Sequence, residues 1–317
     1  MTFGNMSEVC EHATVPLCNL ISSGDDLFKT GVVPKCYARS IYVANTVIFQ
    51  VGTTIINIGA LILIVLILFN IRSKFTAIGR AEMMFLYSSL LVLTVFSIVN
   101  DCGVSPPGSR TYGFLVAVQN GLSSVCSWAL MVCGFLGFEL WEDGKKRSMM
   151  MLYVSSLGIF ALTFILSVFA FRNLDSSVSV GRDTALFVVL YLLNAIFVAI
   201  YFVSQAILCL GILKNVWAFG VIALSSFFFV FAQILTYSLS KVICEGCNHY
   251  LDGLFFGTLS NTLAIMMIYK YWDIITAEDL EFSVSNGESF TQMFGSYDDK
   301  KSDLNYSDSR SNLNYPL

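Results

Sequence analysis

The sequence has few charged residues and almost no histidine. Of its 317 residues, 13% are charged, 56% are hydrophobic and two are histidines. A soluble domain carries about twice that charged fraction. His12 and His249 both lie outside the long apolar runs, which counts against a metal-dependent hydrolase inside a membrane, because such a site needs several ligands facing one cavity. The net charge of −4 comes without any basic run, so nucleic acid is not an expected partner.

The apolar runs also lack the groups that catalysis needs. None carries a pair of carboxylates, a Ser–His pair or a charge near its middle, and Asp101 and Asp252 both fall at the ends of runs. Ionisable residues inside a membrane usually mark proton relays or ion paths, so their absence counts against a pump or a coupled transporter. There is no Walker motif and no dinucleotide-binding glycine motif. We therefore predict neither an enzyme nor a bound cofactor.

Long apolar runs are what the sequence has in abundance. A helix needs roughly 20 apolar residues to cross a bilayer, and seven runs reach about that length. We therefore predict an all-α integral membrane protein with seven transmembrane helices. The predicted spans are residues 43–70, 82–100, 112–141, 148–171, 184–213, 216–239 and 253–272.

The predicted spans divide the chain into three parts. Residues 1–42 form a polar N-terminal segment, residues 43–272 form the seven-helix membrane domain, and residues 273–317 form an acidic tail. The tail has little apolar content and is predicted to be disordered. Seven spans place the two ends on opposite sides of the membrane. The basic residues in the loops after the first and third spans favour a cytosolic location for those loops.

The cysteines independently indicate the same orientation. Six of the nine lie outside the predicted spans, all on the side of the N-terminus. Such segregation is typical of an oxidising compartment, so we predict a lumenal N-terminus, a cytosolic C-terminus and up to three disulfides, whose pairing stays open among 15 arrangements. The candidate lumenal disulfide cysteines are Cys10, Cys18, Cys36, Cys102, Cys244 and Cys247.

Two short motifs lie on the predicted lumenal side. Asn5 begins a glycosylation sequon, which is usable only if this end is lumenal. Cys244 and Cys247 have C-x-x-C spacing, but the sequence has no second such pair and no neighbouring pair of histidines. We therefore predict no metal site at these two cysteines.

Two predicted spans carry small and amide residues on one helical face. The first span begins with a stripe from Gln50 to Asn57, and the last contains Gly253-x-x-x-Gly257 followed by Asn261. In lipid, small residues let helices approach closely and amides bond across helices. We expect these five residues to pack against other helices of this chain or to contact a partner protein; a substrate path is the alternative.

A specific combination of short stretches indicates a family. The stretches are 34–41 (PKCYARSI), 44–49 (ANTVIF), 56–61 (INIGAL), 76–80 (TAIGR), 101–109 (DCGVSPPGS), 134–138 (GFLGF), 140–144 (LWEDG), 243–246 (ICEG), 249–257 (HYLDGLFFG) and 279–284 (DLEFSV). From about Val33 to Ser285 the chain resembles the fungal chitin synthase export chaperones, which are membrane proteins of the endoplasmic reticulum. The resemblance implies a dedicated chaperone that helps a chitin synthase reach the cell surface and so supports cell-wall chitin synthesis.

The resemblance also implies the partners. The client is a chitin synthase, held within membrane lipid, and the cytosolic tail could engage the vesicle-coat export machinery. Asp279 and Glu281 fit an acid-x-acid export signal. A seven-helix receptor and a channel or facilitator are the alternative interpretations of the same spans.

Overall fold

Long apolar helices make up most of the described chain. The computed structural model describes residues 6–21, 31–32, 34–43, 46–75, 77–106, 109–136, 146–171 and 184–276. Within these residues, six helices are long and apolar enough to cross a membrane, in agreement with the predicted all-α membrane class. We label them α2 (Val51–Ser73), α3 (Arg80–Asp101), α4 (Arg110–Leu136), α5 (Lys146–Phe171), α6 (Thr184–Leu213) and α7 (Val216–Tyr237).

Shorter elements complete the described structure. They are helix α1 (Met6–His12), a 3-10 turn (Pro16–Asn19), strands β1 (Ile41–Val43) and β2 (Thr46–Ile48), and helix α8 (Ser240–Gly246). Two compact units can be distinguished, Met1–Tyr271 and Trp272–Leu317. Residues 253–276 are helical, and we call the part that belongs to the first unit, residues 253–271, α9.

The start of the first predicted span is wrong. Helix α2 begins at Val51, and the residues before it form an antiparallel hairpin in which Tyr42 is paired with Val47. Ile41, Val43 and Ile48 are β-branched, and such residues favour strands. An apolar run alone does not distinguish a short strand from the first turns of a helix.

The seventh predicted span is helical but differs in composition from the other six. Ser260, Asn261 and Thr262 lie in the middle of α9, and Lys270 lies near its end. These residues make α9 less apolar than α2 to α7, and it is not among the six helices that are apolar enough to span by composition. A seventh crossing of the membrane therefore stays a prediction.

Helix α4 lies at the centre of the bundle. It packs against α3, α5 and the middle of α6, while α2 packs against α3. The middle of α6, Asn194–Ile207, is α-helical, and it is flanked by π-helical stretches at Val188–Leu193 and Leu208–Leu213. Gln205 in this middle part donates to the Gly134 carbonyl of α4 at 2.6 Å and accepts from the Tyr271 hydroxyl at 2.7 Å. These contacts hold α4, α6 and α9 together.

Polar residues at helix starts satisfy the first backbone amides. The Asn215 side chain accepts from the amides of Trp217 and Ala218 at the start of α7, and Ser109 accepts from the Tyr112 amide in the first turn of α4. The Asp252 carboxylate accepts from the Phe255 amide at 3.2 Å at the start of α9. Each is a standard N-cap interaction, which replaces the missing intrahelical partner.

The N-terminal segment packs on one end of the bundle. Met6 and Cys10 of α1 and Leu17 of the 3-10 turn are buried against Tyr112 of α4 and Leu186 of α6. The Tyr112 hydroxyl also donates to the Pro16 carbonyl at 3.1 Å. We call residues 6–21 the lid, because this segment covers the end of the bundle at which α4 and α9 begin.

Candidate functional site

Two disulfides stabilise the lid and the segment that follows it. Cys10 and Cys18 are bonded within it, and Cys36 is bonded to Cys244 of α8, 208 residues further along the chain. The structure therefore pairs four of the six cysteines proposed for disulfides. Cys102 and Cys247 carry free thiols.

The two candidate cysteines that are not paired both lie at the ends of helices. Cys102 is the C-cap residue of α3, and Cys247 is the C-cap residue of α8. Cys247 lies one turn from Cys244, but the bond from Cys244 goes to Cys36 instead. Of the up to three disulfides expected from the sequence, two are present among the described residues.

An exposed ion pair joins the lid to the segment that follows it. The Lys35 ammonium lies 2.8 Å from the Glu11 carboxylate, and the Lys35 amide donates to the Glu11 carbonyl at 3.0 Å. The hydrogen bond from Lys35, together with its charge, lowers the pKa of Glu11. Because both side chains are about half exposed, this contact fixes geometry more than it stabilises the fold.

The lid contacts the start of α9 and of α2 through buried hydrogen bonds. The Thr14 hydroxyl donates to the Asp252 carboxylate at 2.6 Å, and the Gln50 amide donates to the Thr14 carbonyl at 2.7 Å. Asp252 has only 2% of its surface exposed. One residue of the lid, Thr14, thereby connects the start of α2 with the start of α9.

Asp101 forms a second buried polar contact below the lid. Its carboxylate accepts from the Asn57 amide at 2.9 Å, and its carbonyl accepts from the Phe49 amide at 3.1 Å. Asn57 and Asp101 are both buried. The polar face predicted on the first span therefore points into the bundle, where Asn57 binds the end of α3.

The two glycines predicted to allow close approach are packed within the chain itself. A Cβ atom on Gly253 would lie 2.6 Å from Cα of Ser240 and would overlap the Leu235 carbonyl, and one on Gly257 would overlap the Thr236 hydroxyl. The face of α9 that carries these glycines therefore lies against α7 and α8. In this fold it offers no free surface to a second protein.

The bundle encloses a cavity of about 400 Å³ beneath the lid. Asn57 and Asp101 line the end near the lid, and Val15 and Pro16 of the lid also line the cavity. The walls come from α2, α3, α4, α6, α7 and α9. Apolar residues such as Ile64 line the part of the cavity that lies further from the lid. Asn261 lines this cavity as well, and Gln50 bonds to the lid that covers it.

Among the described residues, one group has the spacing of metal ligands. It consists of Cys36, Cys244 and His249, whose Nδ1 lies 3.3 Å from Sγ of Cys36. The two sulfur atoms are bonded to each other, and a disulfide cannot supply the thiolates that zinc needs. In the oxidised protein this group is a structural bridge beside an exposed histidine.

Long-range partners are what sequence reasoning missed. Asp101 and Asp252 are recognisable as carboxylates at the ends of apolar runs, but their partners Asn57 and Thr14 are 44 and 238 residues away. No local pattern links Thr14 to Asp252. The sequence did indicate that such partners exist, because a carboxylate buried at the end of a span is costly unless a hydrogen-bond donor lies next to it.

Comparison with known proteins places the chain in a family. The sequence profile of the family described as chitin synthase export chaperone matches residues 2–286. The chain belongs to the chitin synthase export chaperone family. The lid, both disulfides and the helices that line the cavity all lie within the matched residues.

Curated relatives of this chaperone family are similar over nearly their whole length. The "Chitin synthase export chaperone" of Candida albicans is 46% identical over 308 residues, which cover 96% of this chain and 99% of the relative. Proteins with the same name from Saccharomyces cerevisiae and Coccidioides immitis are 45% and 46% identical; each match covers 90% of this chain, and 96% and 86% of the relative. No solved structure matches this export chaperone.

Three residues of the sites predicted for the export chaperone lie outside the described residues. They are the sequon residue Asn5 and the acid-x-acid residues Asp279 and Glu281. The family profile ends at residue 286, just after the acidic pair.

Proposed function

We propose that this chain is a multi-pass chaperone of the endoplasmic reticulum membrane that a chitin synthase needs for export to the cell surface. The observation that carries this proposal is the match to proteins named chitin synthase export chaperone over 90% or more of the chain. The described bundle agrees with a non-catalytic role, because the carboxylate of Asp101 bonds α3 to α2 and that of Asp252 bonds the lid to the start of α9.

The topology that goes with this function has seven crossings. In it the lid and both disulfides are lumenal, α9 is the last crossing, and residues 273–317 are cytosolic. Disulfides are supported by an oxidising compartment and rare in the cytosol, which favours this orientation. Insertion of a glycosylation sequon into residues 137–145 should leave the chain unmodified, whereas the natural sequon at Asn5 should add an endoglycosidase-sensitive mass shift that Asn5→Gln removes.

The client is contacted through the outward faces of the helices. Gly253 and Gly257, proposed as client-binding residues from the sequence, are covered by α7 and α8, and Asn57 is covered by α3. The long helices nevertheless expose apolar side chains, and α5 has the smallest buried share of the six. A membrane client with incompletely packed helices would meet these faces first, and their coverage would limit aggregation.

The tail supplies the export signal in this proposal. Asp279 and Glu281 would bind the vesicle coat, and the double change Asp279→Ala and Glu281→Ala should then leave the chaperone in the endoplasmic reticulum. Normal export of the double variant would contradict a signal at these positions. A matched control is the change of Asp298 and Asp299 to Ala, which removes two acids further along the same tail.

The function itself is tested on the client. Cells without the chaperone should accumulate a fluorescently tagged chitin synthase in the endoplasmic reticulum, and their cell-wall chitin should fall. Re-expression of this chain should restore both. Normal arrival of the synthase at the surface in the deleted cells would overturn the proposal and bring the receptor and channel interpretations forward.

A further inference from the structure

The cavity beneath the lid has one polar end and one apolar end. Near the lid it is lined by Asn57, Ser97, Asp101 and Gln119, and further along the same helices it is lined by aliphatic side chains. Those apolar lining residues include Leu63, Ile64, Leu86, Leu90 and Ile268. A ligand that matches this lining is polar at one end and apolar along the rest.

Two hydrogen-bond acceptors in the cavity lining favour a ligand that carries a donor. Asp101 is the one charged side chain among the described residues that line the cavity, and the lining therefore has no cation to balance it. The Oδ1 atom of Asn261 is buried and receives no hydrogen bond from the protein. A buried acceptor without a partner is costly, so a donor is the group that the cavity lacks beside Asn261.

The dimensions of the cavity limit the ligand to one chain. Leu86 and Asp101 both line it and are fifteen residues apart on α3, which corresponds to about 22 Å along a helix. A volume of about 400 Å³ lies at the lower end of the range for sites that bind small molecules. Two acyl chains with a phosphate head group would exceed this volume, and the phosphate would meet the Asp101 carboxylate.

We propose that this cavity binds a single-chain amphiphile whose head group carries an amine. The protonated amine lies between the Asp101 carboxylate and Asn261 Oδ1, and the chain extends between Ile64 and Leu90 towards Ile268. The lid covers the head-group end through Val15 and Pro16. This site is additional to client binding, because the helix faces that meet a membrane client point away from it.

The proposal is tested by ligand binding to the purified full-length protein in phosphatidylcholine nanodiscs. Sphingosine is the amine probe, and stearic acid, of similar chain length, is the matched anionic probe. Sphingosine at a hundredfold excess over its Kd should raise Tm by about 5 °C or more, whereas stearic acid should leave Tm unchanged. Equal shifts with both probes, or no shift with sphingosine, would overturn the proposal.

Two variants of the polar end separate binding from folding. Asp101→Asn keeps an oxygen for Asn57 but removes the charge, and it should weaken sphingosine binding at least tenfold. Asn261→Leu removes the buried oxygen that has no partner, so the empty protein should unfold at the same temperature or higher while the sphingosine shift shrinks. Wild-type affinity in both variants would place the amine elsewhere and refute the proposed site.

A pair of tryptophan variants locates the chain. Leu90→Trp fills the apolar end and should abolish the sphingosine shift, whereas Leu157→Trp, on the exposed face of α5, should leave it intact. Loss of the shift in Leu157→Trp alone would assign binding to the outer surface and contradict the proposal. All these readouts come from the isolated protein, so they stand or fall separately from the export function.

Discussion

Asp252 joins the lid to the start of α9 through one carboxylate. It accepts from the Thr14 hydroxyl of the lid and from the Phe255 amide at the start of α9, and it is almost fully buried. Asp252→Ala removes both bonds and should destabilise the protein by about 2 kcal/mol. Asp252→Asn retains an acceptor oxygen and should cost less. Thermal unfolding in one detergent measures both variants.

Thr14→Val is the control for the lid bond at Asp252. It removes the Thr14 hydroxyl but leaves the N-cap of α9, so its loss should be smaller than that of Asp252→Ala. Equal losses for the two variants would mean that the N-cap contributes nothing.

Glu11 makes the stability of the lid weakly dependent on pH. Lys35 lowers the pKa of Glu11, so the ion pair adds stability that is present above the unfolded pKa of about 4.3 and is lost as the pH falls through the folded value. Protease cleavage of the lid should therefore speed up below about pH 4 in wild type relative to Glu11→Gln. A rate ratio that is constant with pH would contradict this role.

At the residue scale, the sequence predicts which side chains form bonds better than it predicts the residues to which they bond. Six cysteines outside the apolar runs indicate disulfides, but the bond between Cys36 and Cys244 joins segments that only the folded bundle brings together. The same applies to Asn57, whose place on a polar face is evident from helical spacing while its acceptor, Asp101, is not.

Helix α9 depends on glycine where it crosses α7 and α8. Gly253→Ala would place a Cβ 2.6 Å from Cα of Ser240 and into the Leu235 carbonyl, both backbone groups that move only together with their helices. We expect a loss of about 1–3 kcal/mol, or aggregation on fluorescence-detected size exclusion. Gly257→Leu should be at least as harmful, because the Thr236 side chain occupies that space.

The matched controls for these glycines are Gly59→Ala and Gly158→Ala. Nothing lies within 4 Å of a Cβ atom at either position. Alanine is the better helix former by about 1 kcal/mol, so both controls should be neutral or stabilising. A loss in the controls as large as in Gly253→Ala would show that any glycine in these helices is needed, whatever its neighbours.

At the element scale, boundaries depend on context that a hydropathy pattern does not contain. The predicted 184–213 span coincides with α6, because polar residues flank it on both sides. The first span was placed eight residues too early, because the strand Thr46–Ile48 is as apolar as the helix after it. In the polar centre of α9, Asn261 and Thr262 line the cavity and Ser260 donates to the Phe228 carbonyl of α7. The low apolarity of α9 therefore reflects its place inside the bundle.

The disulfide between Cys36 and Cys244 makes the whole molecule resistant to separation into halves. A protease site inserted into residues 137–145 divides the chain between these cysteines, while Cys10 and Cys18 remain on one fragment. After cleavage, the protein should run as one band on a non-reducing gel and as two bands after reduction. Cys36→Ser should give two bands without reductant, and Cys102→Ser should behave like wild type. Two bands from the unreduced wild type would refute the bond.

That same bridge also sets an order of events during synthesis. In the proposed lumenal orientation, Cys10 and Cys18 can form their bond almost as soon as both have entered the lumen. Cys36 can form its bond only after a further 208 residues have been synthesised. At the usual speed of translation this takes on the order of 10–40 s. From the time that Cys102 enters the lumen, it is available to Cys36 as a wrong partner. The bridge can therefore form only after the chain has been made as far as α8, and a chain without it has not completed this step of folding.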